Sequence, residues 1–149
     1  MIRIQQTNFD LDAEISTLRQ HNAAAGAIVA FLGTVRDFSA NAQVHAMRLE
    51  HYPGMTEKVL HGIEAAAHQR WSLQEVLVIH RTGELLAGEQ IVLVATISEH
   101  RRDAFAACDF IIDHLKTEAP FWKREQTPQG PRWVSAQKND QTARERWNR

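Results

Sequence analysis

The sequence predicts an α+β fold, with a mostly antiparallel sheet covered by helices. Three observations predict it. Helical periodicities and strand-like runs follow one another as α-β-β-α-β-β-α-β-β, which is not the alternation of a doubly wound fold. Two runs, G-A-I-V-A-F-L-G-T-V-R and Q-I-V-L-V-A-T-I-S, are apolar and β-branched, the composition of buried strands. Near the end, T-P-Q-G-P separates two short strand-like segments, a hairpin signal. The 149 residues are read as a single domain, 1–149.

Residues 10–21 space Leu11, Ile15 and Leu18 at helical intervals, with Asn8 or Asp10 as the cap. A buried strand follows from Gly26 to about Arg36, and D-F-S-A-N-A-Q is a loop. Residues 44–51 are the next strand, expected to pair with the previous one. Pro53 suits a helix's first turn. Met55, Val59, Ile63 and Ala66 or Ala67 then make the apolar face of a second helix ending near Trp71. E-V-L-V-I-H-R and Q-I-V-L-V-A-T-I-S are strands joined by a loop or hairpin-like turn. The third helix spans 99–118, with Ser98 as its cap and a stripe of Ala104, Phe105, Cys108, Ile111, Ile112 and Leu115. Met55, Trp71 and Phe105 are read as core. The last segment, about 137–149, is read as a peripheral basic tail.

Composition excludes several classes. No apolar run approaches the roughly 20 residues of a membrane span, and the N-terminus has no signal-peptide core. One cysteine, Cys108, excludes an internal disulfide, and its place on the apolar stripe predicts an inert thiol. A cytoplasmic protein is expected. Eight histidines are scattered without metal-ligand spacing, so no metal and no cofactor is expected. Net charge is −1, but residues 121–149 hold seven basic and three acidic residues. That end is either a solvated tail or a receiver for an acidic ligand.

The most informative stretch is L-K-T-E-A-P-F-W-K-R-E (115–125). It puts Lys116 on a helix's last turn, stops the helix at Pro120 and resumes as a strand bearing Lys123. Cations at such a boundary suit an anionic ligand or amine chemistry, and a lysine that moves protons needs burial or cationic neighbours. His100, Arg101 and Arg102 open the third helix, where cations oppose the helix dipole. A bound phosphate or carboxylate reverses that sign. Arg36 leaves the first strand at a position suited to a ligand.

L-E-H-Y-P-G-M-T-E-K (49–58), V-I-H-R-T-G-E-L (78–85) and L-K-T-E-A-P-F-W-K-R-E (115–125) together resemble the catalytic, or large, subunit of molybdopterin synthase, the MoaE family. F-L-G-T-V-R-D (31–37), S-E-H-R-R-D-A-F (98–105) and G-P-R-W-V (130–134) fit the same family. The resemblance implies an α/β-hammerhead type of fold. It implies a sulfurtransferase that takes sulfur from the C-terminal Gly-Gly thiocarboxylate of a small ubiquitin-like subunit. The acceptor is cyclic pyranopterin monophosphate and the product is the molybdopterin dithiolene. Its partners are that sulfur carrier and a second large subunit, in a heterotetramer, with no nucleic acid and no membrane.

By the same resemblance, Lys116 is the lysine nearest the thiocarboxylate, with a general acid/base and positioning role. Lys123 is the second active-site lysine, which binds and orients. Arg36, His100 and Arg101 hold the substrate phosphate. Thr34, Val35, Arg124 and Glu125 line the pocket, which includes groups from the neighbouring large subunit. Thr34 stands where some relatives have lysine, which weakens a cationic role there. A different class, a non-catalytic module that binds a phosphorylated ligand or acidic tail, would use the same cations. The presence of both Lys116 and Lys123 favours the enzyme.

Overall fold

The computed structural model describes residues 1–36, 38–39, 42–43, 46–134 and 138–148, without the side chains of 38–39, 42–43, 132–134 and 138–139. The elements are β1 (Ile2–Gln5), α1 (Leu11–His21), β2 (Ala27–Thr34), β3 (Phe38–Ser39), β4 (Ala42–Gln43), β5 (Ala46–His51) and α2 (Met55–Arg70). They continue with β6 (Glu75–Arg81), β7 (Gly83–Leu86), β8 (Gln90–Ser98), α3 (Arg101–Glu118), β9 (Phe121–Thr127), β10 (Gly130–Val134) and α4 (Lys138–Glu145). A 3-10 turn, Arg146–Asn148, follows.

One sheet has the order β1-β6-β8-β2, the other β10-β9-β5-β7, and β3 pairs with β4. Among the described strand pairs only β1 with β6 is parallel. This is the α+β, hammerhead-type architecture, antiparallel-rich and helix-covered. The central strands β6 and β8 are buried on both faces, which explains their unbroken apolar runs. On one face Val76, Val78, Val92 and Val94 meet α2 and α3 through Leu60, Ile63, Ala67, Cys108 and Ile111. On the other, Leu77, Ile79, Leu93, Ala95 and Ile97 meet Leu18 of α1 and Phe9.

The structure corrects several expectations. Of the two candidate caps for α1, Asp10 is the one used, accepting from the Ala13 N–H at 3.0 Å. β5 pairs with β7 and β9, not with β2. Its inward Met47 and Leu49 need the second sheet, and the connector after β6 supplies it as a strand with Leu85 fully buried. β1 is an added strand. α3 starts at Arg101, and Ser98 ends β8. The Ser98 hydroxyl donates to the Ser72 carbonyl at 2.8 Å and accepts from the His100 N–H at 3.2 Å.

Met55 and Phe105 are exposed, not core. The buried face of α2 is Thr56, Leu60, Ile63 and Ala67, one residue round from the expected stripe. In α3, Phe110 takes the place expected of Phe105. The polar C-terminal segment is not merely peripheral. Trp147 packs edge-on against Trp71 and Phe110, at 5.6 and 5.5 Å between centroids. The ring docks the polar segment together with the ion pairs of Arg146 with Asp109 and Asp113 and of Arg144 with Glu118.

Candidate active site

The site grows from the junction of α3 and β9. Leu115 is buried, so the next residue, Lys116, points to solvent at the helix's last turn. Ala119 adopts extended backbone, Pro120 follows, and β9 begins at Phe121. The Thr56 hydroxyl shares its proton between the Tyr52 carbonyl at 3.0 Å and the Pro120 carbonyl at 3.4 Å, the second contact linking the junction to α2. Side chains alternate along β9, so Phe121, Lys123 and Glu125 face inward while Trp122, Arg124 and Gln126 face outward.

Lys123 is half-buried, and burial pushes its ammonium below the usual lysine range. The neighbouring charge of Lys116 pushes the same way, and Arg36 adds to it. The carboxylates of Asp140 and Glu125 oppose. The structure therefore brings Lys116, Arg36 and Glu125 within electrostatic reach of Lys123. Asp140 joins them from α4, its Oδ1 3.9 Å from the Lys116 Nζ. Glu125 is 5% exposed, so its charge is felt through a poorly screened medium.

Arg36 is delivered by the end of β2. The register shifts between Gly33 and Thr34, a bulge that re-aims the chain. The Val35 N–H donates to the Glu89 carbonyl at 3.0 Å, and the Val35 carbonyl accepts from Gly88 at 2.7 Å. Val35 itself is core, so its contribution is this backbone anchor. Thr34 and Arg36 are exposed beside it.

Three expected members do not gather here within one chain. Arg124 lies on the outward face, opposite Arg48 in register. His100 and Arg101 open α3, and fifteen residues of helix at 1.5 Å each put Arg101 about 22 Å from Lys116. There Arg101 lines a groove with Arg102, Phe105, Ala106 and Asp109.

Asp140 and two histidines were missed in the sequence. His80 is 3% exposed. Its ring stacks on Phe121, centroids 4.0 Å apart. His51 lies 3.8 Å from Glu57. Burial lowers the pKa of His80 to about 4, and the Lys123 and His51 charges add to this. The signal was a histidine inside an otherwise apolar strand, V-L-V-I-H. Cys108 is buried, its thiol pushed up to about 12 chiefly by that burial. Among the described residues no helix is long and apolar enough to cross a membrane.

The fold and the clustered cations define an α/β-hammerhead protein with a basic pole of two lysines and an arginine. A family model described as MoaE protein matches residues 4–118. The chain is 58% identical over 146 residues to the molybdopterin synthase catalytic subunit of Ralstonia nicotianae, covering 98% of this chain and 83% of that protein. Among solved structures, it resembles the molybdopterin biosynthesis MoaE protein from Burkholderia ambifaria. The TM-score is 0.85 at 54% identity, over 100% of this chain and 98% of the other. It also resembles molybdopterin synthase from Staphylococcus aureus, with a TM-score of 0.80 at 29% identity, over 89% and 96% of the two chains. The chain belongs to the MoaE family.

Proposed function

We propose that this chain is the catalytic subunit of a molybdopterin synthase, working in the cytoplasm. It transfers sulfur from the C-terminal thiocarboxylate of a small ubiquitin-like subunit to cyclic pyranopterin monophosphate, forming the molybdopterin dithiolene. The observation that carries this reading is the convergence of Lys116 and Arg36 on the half-buried Lys123 at the junction of α3 and β9.

Two thiocarboxylates are consumed in turn, each sulfur attacking one of two adjacent pterin side-chain carbons, as water and a phosphate oxygen depart. Water then cleaves the acyl–sulfur bond and leaves a Gly-Gly carboxylate. Cations hold the phosphate and offset the developing negative charge. We assign the two lysines roles opposite to those the resemblance implies. Lys123, the lysine with the lowered pKa, exchanges protons with the reacting groups. Lys116, exposed and ion-paired, receives the thiocarboxylate in place of Asp140. His100 and Arg101 come from a second copy of this chain, because their own copy holds them a helix length away.

The test mixes this chain with the thiocarboxylated small subunit and the pterin substrate, and measures the dithiolene product. A passive anion-binding module would bind the pterin phosphate and yield no product. Tight binding without turnover by the wild-type chain sinks the catalytic reading.

A further inference from the structure

We propose that His80 is a positioning residue for Lys123, acting through the ring of Phe121. The inference rests on Lys123 belonging to the site, and it concerns what holds that lysine in place.

His80 comes from β6, in the central sheet, whereas Lys123 comes from β9, in the other sheet. The two sheets therefore need a connection that does not slide. The His80 ring is fixed first. Its Nδ1 lies 2.9 Å from the Arg81 carbonyl oxygen. A carbonyl only accepts, so Nδ1 carries the proton and the ring orientation follows. Phe121 lies on that ring at 4.0 Å and 20° between planes. Phe121 is the first residue of β9, and its N–H donates to the Ala119 carbonyl at 2.8 Å. Lys123 follows two residues on, on the same face and about 7 Å along the strand. The stack thus fixes where β9 starts, and from there the line along which the Lys123 stem runs.

The residue type also fits. The charged groups facing the ring are Lys123 from β9 and His51 from β5, the latter with Glu57 of α2 behind it. A cationic anchor would repel Lys123. A neutral, singly protonated imidazole gives a flat face and one hydrogen bond without adding charge. No substrate contact is needed for this role.

The test reads Lys123 directly. Protein labelled with 15N at lysine is titrated by NMR, with the Lys123 signal assigned from Lys123→Arg. In His80→Ala the start of β9 loosens, Lys123 reaches water, and its titration moves up toward the ordinary lysine value of about 10.4. In the sulfur-transfer assay kcat falls about tenfold or more with KM unchanged, as expected for a misplaced group. His80→Phe keeps the ring but not its hydrogen bond to the Arg81 carbonyl, and recovers part of both the titration shift and kcat relative to His80→Ala. Phe121→Leu, with His80 intact, raises the Lys123 titration as His80→Ala does, and stands in for it if that variant does not fold. An unmoved Lys123 titration in His80→Ala or Phe121→Leu overturns the inference. So does a His80→Phe variant as impaired as His80→Ala. If wild type transfers no sulfur, the functional reading fails, while the titration still decides on His80.

Discussion

The indole N–H of Trp147 donates to the buried Asp113 carboxylate at 2.7 Å, and Arg146 reaches the same oxygen at 2.8 Å. These bonds moor α4 to α3, and α4 carries Asp140 to Lys116. The Asp113 hydrogen bond is also the main reason the Arg146 guanidinium sits above its ordinary range. Trp147→Phe keeps an aromatic ring but removes a donor from a buried carboxylate, at a cost of about 1–3 kcal/mol. Trp147→Ala also opens a cavity and costs about 3–5 kcal/mol. Urea denaturation measures both; an undiminished stability in Trp147→Phe would mean that the indole N–H contributes nothing.

Lys123 lowers stability at neutral pH, because its charged form is penalised by burial. Its folded-state pKa lies below the unfolded value of about 10.4. The unfolded chain therefore binds more protons in that window, and stability rises with pH across it. Lys123→Met is expected to be more stable than wild type at pH 7, with the advantage shrinking as pH approaches the unfolded lysine value. Denaturant midpoints at pH 7 and pH 10 give the comparison. A deficit of constant size at both would refute it.

His80 works in the acid range. Its pKa of about 4 in the fold lies below about 6.5 in the unfolded chain. Stability is therefore fully present above the unfolded value and is lost as pH falls through the folded one. The whole difference is on the order of 3 kcal/mol. His80→Phe removes this titration, so it loses less stability than wild type between pH 7 and pH 4. Parallel acid-unfolding curves for the two proteins would contradict the sign.

Gly26 stands where β2 meets the start of α3. A Cβ there would fall 2.1 Å from the Glu99 carbonyl oxygen, and that oxygen is main chain and cannot turn aside. Gly26→Ala is expected to cost about 1–3 kcal/mol and to move His100 and Arg101 with the helix start. Loss of pterin-phosphate affinity exceeding the loss of kcat, measured by calorimetry and initial rates, is the expected pattern.

The cations should separate by kinetic signature. Lys123→Ala is expected to lower kcat by about 10²–10⁴-fold, the range for a positioned acid or base. Arg36→Ala and Arg101→Ala are expected to raise KM for the pterin about tenfold each, as loss of a charge-assisted hydrogen bond does. At pterin concentrations well below KM, a mixture of Lys123→Ala and Arg101→Ala chains exceeds the summed activity of the two variants alone only if one copy supplies Arg101 to the other. No recovery in mixed dimers would count against a shared site.

Much of this was legible in the residues. Helix periodicity placed α1, α2 and α3, and the apolar runs placed β2, β6 and β8. Pro120 between two lysines marked the site's junction. What escaped was short or non-local. β1 and β7 are four residues each, too brief for a periodic signal. The partners of β5 depend on β7 and β9, which are distant in sequence. Asp140 reaches Lys116 because Arg144, Arg146 and Trp147 dock the segment beyond it on α3, and nothing local to Asp140 says so. The length of α3, read correctly as a helix, already implied that Arg101 and Lys116 stand far apart in one chain.

The junction between α3 and β9 also imposes a parity. Helix ends and strand begins with only Ala119 and Pro120 between, so the facing of every β9 side chain is counted off from the helix's last turn. Odd-numbered residues turn inward and even-numbered ones outward. Changing that count by one would offer Trp122 and Arg124 to the interior and turn Lys123 out to water. The spacing between the two lysines is thus a discrete variable: it tolerates many side-chain changes along the way but not a change in the number of residues.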